Sequence, residues 1–262
     1  TGLQKLIYNV TKNQLIEHNT DISLEEKINL KFKEIPKKNF FSDLMNSINT
    51  SSELKNVLNS KGILNSFKLI FNNPEPFDIS TFRARIPNQK RTIYKWHQDE
   101  GTWHLSKNPS HINKFPATLW LSINGTFESD GIQLVRYSHK EKLHNHSFVK
   151  GQGYFNIKNK KEINEDKIFN VVTKPSEAVM FHPLTLHRSV PSTSINFRPR
   201  YTIDIRYFDK EFKPKFNVDL LFPIPFLTSK IALNCGTPIP ATNLVVHIEP
   251  GPIPTFIIST PC

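Results

Sequence analysis

Cysteine is nearly absent: Cys235 and Cys262 are the two in 262 residues, and both lie late in the chain. That pattern excludes a disulfide framework and makes a reducing cytoplasm the expected compartment. Long apolar runs are missing too. No eighteen consecutive apolar residues occur, so no segment reads as a bilayer-spanning helix. The opening TGLQKLIYNVTKNQ lacks the basic-then-apolar order of a secretory signal. Internal repeats are absent. Acidic residues are the minority charge, 23 against 34 basic, which gives a net charge of +11 and a pI near 9.6. No RNP, zinc-finger or helix-turn-helix pattern accompanies the lysines, which are interleaved with acids in KNKKEINEDK and KFKEIPKKN. The surplus reads as a solvated basic surface that draws in anionic small molecules. Nucleic acid and membrane are not the expected partners.

What is present divides the chain into three stretches, expected to form one domain overall. Residues 1–75 read as mainly helical and packed on the rest. SLEEKINLKFKEI opens on an N-cap serine followed by acids, while FFSDLMNSI and SSELKNVLNSKGILNSFKLIF carry apolar residues at three-to-four spacing, with Gly62 as a break. Residues 76–213 change period. Short apolar or alternating runs (STFRARI, ATLWLSI, IQLVRY, FNVVT, EAVMFH, RYTIDIRYF) are bounded by Gly, Pro, Asn and Asp, with no strand–helix–strand rhythm. That pattern predicts a mainly β core, an antiparallel sandwich or barrel with flanking helices. Residues 214–262 hold nine of the nineteen prolines and, from Ile231 on, Glu249 as the one charged residue. This segment reads as an extended stretch on the body, a lid or a tail.

The chemistry concentrates in YKWHQDEGTWH, Tyr94 to His104. His97 and Asp99 are two apart, and on an extended strand i and i+2 point to the same side. One imidazole and one carboxylate can therefore converge on one ion, with a third ligand from a distant strand. EAVMFHPLTLHRS offers both His182 and His187 for that place. Two imidazoles and one carboxylate on a face, with other positions open, form the ligand set of non-haem Fe(II) oxygenases. Arg198 follows His187 by eleven residues, on the next strand. A guanidinium there can clamp a carboxylate bidentately, as a 2-oxoacid cosubstrate with a distal carboxylate requires.

HQD, then GTW, then H-R-S-x-P-S-T-S-x-x-x-R resembles the phytanoyl-CoA dioxygenase superfamily, in particular its ectoine-hydroxylase-like bacterial branch, over about Phe77 to Phe208. The resemblance implies a double-stranded β-helix (a cupin-like jelly roll) that binds Fe(II) and 2-oxoglutarate and uses O₂. It assigns His97, Asp99 and His187 to the metal, which favours His187 over His182. Arg198 and Ser189 go to the distal carboxylate of 2-oxoglutarate, and Trp120 and Arg85 to the cosubstrate pocket. Trp103 matches an indole that borders the substrate.

Two departures bear on the substrate. Tyr137 stands where the family often has a glycine in a turn, which implies a turn of different shape. Arg83 stands where ectoine-branch relatives carry a neutral amide, which points away from ectoine and toward an anionic substrate. Asp99, absent in halogenating relatives, implies hydroxylation of a small polar metabolite with release of succinate and CO₂. The competing readings are a cupin-like binding protein without turnover and a nucleic-acid-associated demethylating dioxygenase. HKEKLHNH, with His139, His144 and His146, reads as an exposed loop, and Trp96 reads as core. Nothing in the sequence bears on oligomeric state.

Overall fold

The computed structural model describes residues 47–77, 81–85, 93–103, 116–149, 154–191, 200–212, 245–248 and 256–259. Most of the predicted N-terminal helical stretch, residues 1–46, lies outside them. Within the described part, α1 (Ser52–Leu58) and α2 (Lys61–Phe67) follow the helical period. Ser51 caps α1: its hydroxyl accepts the Leu54 N–H at 3.1 Å, and Glu53 sits in the first turn, where a carboxylate suits the helix dipole. The break falls at Asn59–Ser60 rather than at Gly62. The Asn59 N–H and its side-chain amide both return to the Lys55 carbonyl, which closes α1 ahead of Gly62; the glycine lies inside the first turn of α2.

The six runs read as strands each contain one, and further strands form at Pro74–Pro76, His146–Val149, Tyr154–Ile157 and His187–Ser189, where none was expected. In chain order the strands are β1 (Pro74–Pro76), β2 (Thr81–Arg85), β3 (Ala117–Ser122), β4 (Ile132–Val135), β5 (His146–Val149) and β6 (Tyr154–Ile157). After them come β7 (Ile168–Val171), β8 (Ala178–Phe181), β9 (His187–Ser189) and β10 (Arg200–Asp209), with a short helix, α3 (Asp99–Trp103), between β2 and β3. Two strands of the proline-rich segment, β11 (Val245–Ile248) and β12 (Phe256–Ser259), pair as a hairpin. All pairings are antiparallel. The large sheet runs β1-β10-β3-β8-β12-β11, with β2 sharing the β10 edge; a second sheet runs β7-β4-β9. The fold is the cupin-like double-stranded β-helix. Among the described residues, no helix is long and apolar enough to cross a membrane.

Side-chain alternation gives the large sheet two faces. Tyr201, Ile203, Ile205 and Tyr207 of β10 join Leu119, Leu121, Ala178 and Met180 against Leu54, Ile63 and Phe67 of the helices. Phe67 stacks on Tyr207 with centroids 4.0 Å apart, and the Tyr207 hydroxyl donates to the Leu58 carbonyl at 2.7 Å. Each fully buried Phe or Ile here stabilises by roughly 1.5–3 kcal/mol. On the other face Trp120, Val179 and Phe181 meet Ile132, Leu134 and Val171 of the second sheet. A third cluster, Trp96 with Val135, Ile157 and Leu186, packs under the HQD segment, as expected for Trp96. Tyr137 keeps the left-handed turn that a glycine would take, with φ 62°. The following Ser138 anchors it: its hydroxyl donates to the Val135 carbonyl and accepts the Leu186 N–H, both at 2.8 Å.

Candidate active site

Residues 94–97 run antiparallel to β9. The His97 N–H donates to the His187 carbonyl and the His187 N–H to the His97 carbonyl, both at 3.0 Å. Tyr94 and Ser189 extend the pairing: the Ser189 N–H donates to the Tyr94 carbonyl, and the Ser189 hydroxyl accepts the Tyr94 N–H. Two residues ninety positions apart thus become direct neighbours, with their imidazole centroids 4.0 Å apart. Asp99, in the first turn of α3, completes the group. One ligand-type atom from each of His97, Asp99 and His187 lies within 4.8 Å of the other two, and all three residues are buried.

Both histidines are oriented by backbone. The Nδ1 of His97 lies 2.7 Å from the Lys95 carbonyl and the Nδ1 of His187 lies 2.9 Å from the Thr185 carbonyl. A carbonyl can only accept, so each Nδ1 carries the proton and each Nε2 keeps a lone pair. That is the arrangement of a metal-ligating imidazole with its second nitrogen anchored. The His187 Nε2 stands 3.6 Å from Asp99 Oδ1. Burial, with His187 next, holds His97 well below the usual imidazole range, so it stays neutral. Burial alone would raise the Asp99 carboxyl, but the Arg206 guanidinium, His187, His97 and a Thr118 hydrogen bond outweigh it and hold it well below the carboxylate range. The donor set of two imidazoles and one ionised carboxylate fits a divalent iron.

Gln98, between the two ligands, is fully buried and points away from them. Its amide donates to the Leu184 carbonyl at 2.8 Å and accepts the His144 N–H at 2.8 Å, which ties the turn before His187 to the HQD segment. The HKEKLHNH loop is accordingly not simply exposed. His144 is buried against Glu162, and the His146 Nε2 accepts the Gln98 N–H. A Cβ at Gly101 would sit 2.5 Å from the His146 ring, so the glycine of HQDEG is required by close approach. Among the described residues these histidines form no second metal cluster. His182, the competing ligand, accepts the Leu184 N–H through Nδ1 and stands beside His139. The neighbouring Glu100 is buried, and burial together with Asp99 pushes its carboxyl up to about 8.

Beyond the triad, one cleft is lined by Arg83, Tyr94, Trp120, Phe181, Ser189 and Arg200 along with the three ligands. Ser189 and Trp120 are where the resemblance placed them. Arg198 and the Trp103 side chain lie outside the described residues, as do His104 and His111. Among the guanidinium groups that line the cleft is that of Arg200, which opens β10. It lies 5.3 Å above the Trp120 ring, and its Nη1 donates to the carbonyls of Asp130 and Gly131 at 2.8 and 2.9 Å. Burial, then the Arg85 charge, pushes it down to about 9, and its Nε is buried with no hydrogen-bond partner among the described residues. Arg85 is fully buried and opposes Arg200 in the β2–β10 register. A buried cationic pocket with an unanswered N–H fits a carboxylate-bearing cosubstrate. Arg83 is already engaged: its Nε donates to Asp204 at 2.8 Å, and its guanidinium stacks 4.2 Å over the Tyr94 ring.

Three of these residues escaped the sequence reading: Arg200, Asp204 and Arg206. The signal was in RYTIDIRY, where every second position of one strand is polar and so shares a face.

The model of one protein family, phytanoyl-CoA dioxygenase (PhyH), matches residues 3–199. No curated protein sequence matches the chain. Among solved structures, a non-heme monooxygenase, ThoJ in its apo form, aligns at 16% identity and TM-score 0.51, covering 63% of this chain and 58% of its own. EctD from S. alaskensis with 2-oxoglutarate and 5-hydroxyectoine aligns at 12% identity and TM-score 0.51, covering 82% of this chain and 69% of its own. The chain thus spans less than two thirds of the ThoJ chain, and at these identities the likeness is one of fold.

Proposed function

The chain belongs to the phytanoyl-CoA dioxygenase family, and from that premise we propose that it is an Fe(II)- and 2-oxoglutarate-dependent oxygenase that hydroxylates a small anionic metabolite, releasing succinate and CO₂. The observation that carries this reading is the position of the His97–Asp99–His187 cluster and Arg200 in one cleft. His97 and His187 would hold the metal through Nε2 and Asp99 through Oδ1. Arg200, with Ser189 across the cleft, would hold the distal carboxylate of 2-oxoglutarate, the role that the spacing from His187 gave to Arg198. Bound iron and cosubstrate supply the oxidising power for C–H hydroxylation. The chain's own part is to orient the ligands, to keep His97 neutral and Asp99 ionised, and to shield the reacting carbon from water with Trp120, Phe181 and Ile132.

Charge supports an anionic substrate. Four arginines line the cleft, Arg83, Arg188, Arg200 and Arg206, against the carboxylates of Asp99 and Asp204; the Arg188 guanidinium is turned to Gln133 and the Trp96 ring, which leaves three for the balance. A divalent metal and a dianionic cosubstrate cancel each other, which leaves one positive charge in excess. Arg83, with its side chain 25% exposed, is where that charge meets an entering molecule. A reducing compartment such as the cytoplasm would keep the iron ferrous, in accord with the two late cysteines.

The test is a screen. Wild-type protein with Fe(II), ascorbate and 2-oxoglutarate is offered small carboxylates and phosphates alongside neutral and cationic analogues, and succinate formation is measured. Stimulation by anionic members supports the reading. Binding of neither iron nor 2-oxoglutarate under anaerobic calorimetry would sink it.

A further inference from the structure

Asp99 can offer a metal one oxygen or two, and the structure bears on which. Its Oδ1 is the atom turned to the His187 Nε2, at 3.6 Å. Its Oδ2 is held by two groups from two strands: the Thr118 hydroxyl donates to it, and the Arg206 Nη2 donates to it at 3.2 Å. Thr118 and Arg206 are direct cross-strand partners in the β3–β10 ladder. One rung of the sheet therefore presents both donors to a single carboxylate oxygen. All three side chains are buried. Arg206 is itself braced, with Nη1 donating to the Asp204 carbonyl at 3.3 Å and Nη2 lying 3.8 Å from Asp204 Oδ2. Asp204 in turn is fixed by the Arg83 Nε at 2.8 Å.

A guanidinium beside a cation site opposes metal binding by simple repulsion. Arg206 also holds Asp99 ionised, so its charge acts both for and against a metal there. We propose that Arg206 and Thr118 are positioning residues that confine Asp99 to one-oxygen ligation and so keep a coordination position free. The proposal rests on the iron and 2-oxoglutarate reading above. A carboxylate with both oxygens at liberty can chelate. Two imidazoles and a chelating carboxylate take four of the six positions of an octahedral ion, the keto-acid end of 2-oxoglutarate takes the remaining two, and nothing is left for O₂. With Oδ2 occupied by the sheet, Asp99 takes one position and the sixth stays open. In this proposal Arg206 and Thr118 act through Asp99 and not as ligands of the metal.

The experiment counts open positions without turnover. Anaerobic Fe(II)·2-oxoglutarate complexes of the wild type, Thr118→Val, Arg206→Met, Arg206→Lys and the Thr118→Val/Arg206→Met double variant are titrated with nitric oxide. Binding is followed by electron paramagnetic resonance and visible absorption. Loading of iron and 2-oxoglutarate is measured separately by calorimetry. The double variant is expected to load both but to bind nitric oxide about tenfold or more weakly than wild type, in line with the roughly 10–100-fold effects of outer-shell partners. Arg206→Lys, which keeps the charge and loses the fork, is expected to fall between. A purely structural role would lower the melting temperature or the loading and leave nitric oxide affinity unmoved. Nitric oxide binding within twofold of wild type in the loaded double variant overturns the proposal. Should the double variant not fold, near-isosteric Thr118→Val carries the same test, and unchanged affinity there overturns it equally. Wild type that loads neither iron nor 2-oxoglutarate would instead sink the functional reading.

Discussion

On one face of β10, Tyr201, Ile203, Ile205 and Tyr207 meet Leu119, Leu121 and the helices; on the other, Arg200, Thr202, Asp204 and Arg206 meet Thr118, Trp120 and Ser122 inside the barrel. All ten residues of the strand are buried, so the two faces differ in chemistry and not in access to water. The apolar face is stabilised by every contact it makes. The polar face carries groups that cost free energy to bury, and several, such as the hydroxyls of Thr202 and Ser122, lack any hydrogen-bond partner among the described residues. A core built for stability alone would have no reason to hold them. The contrast teaches that one strand divides the labour: from Arg200 to Tyr207 its odd positions pack the apolar core and its even positions turn polar groups into the interior.

That division breaks if changes on one face produce the other face's symptoms. The largest effect is expected at the ligand itself. His187→Ala should weaken iron binding by more than about a hundredfold, since even outer-shell partners are worth roughly 10–100-fold. Calorimetry reads the loss, while the melting temperature of the metal-free protein should move little. Next is Ile203→Ala on the apolar face, expected to lower unfolding free energy by about 3 kcal/mol in urea titrations, within the usual range for emptying a core site. Its iron and 2-oxoglutarate affinities should stay at wild-type values.

Arg200→Met sharpens the comparison from the other side. Loss of 2-oxoglutarate affinity of roughly thirty- to a hundredfold is expected, because a buried charge partner is removed from the bound carboxylate. Stability should move little, since relief from burying a guanidinium that meets no carboxylate among the described residues offsets the two bonds lost to the Asp130 and Gly131 carbonyls. A clear drop in stability would show that the polar face is structural after all. The smallest effect is at Tyr207→Phe, which deletes the bond to Leu58 and should cost about 1 kcal/mol near neutral pH. Burial raises the Tyr207 hydroxyl above its ordinary value of 10. The native state therefore keeps its proton where the unfolded chain releases it, and wild-type stability falls as pH rises past that value. The gap between Tyr207→Phe and wild type should narrow between pH 9 and pH 11.

Much of this was legible beforehand. The strands at ATLWLSI, EAVMFH and RYTIDIRYF follow from local pattern, and the helix end at Asn59 missed the expected Gly62 by a few residues because a side-chain cap acts before the glycine does. The iron ligands were legible as an HxD pair, with the third ligand open between His182 and His187 until the family pattern favoured one. Arg198, selected by a count of eleven from His187, lies outside the described residues; Arg200 lines the cleft and shares a strand face with Asp204 and Arg206, which the alternation of RYTIDIRY already carried.

By itself the sequence determined the period of each segment, the supply of imidazole, carboxylate and guanidinium groups, and the two-residue spacing that puts His97 and Asp99 together. These are local properties, set by backbone geometry within a few residues. The tertiary structure alone decided that His97 pairs with His187, that Gln98 ties their turns together, and that Thr118 and Arg206 close on one oxygen of Asp99. Such relations depend on strand register between segments some twenty to a hundred positions apart. Register is chosen by the burial of whole sheet faces, not by any short stretch of chain.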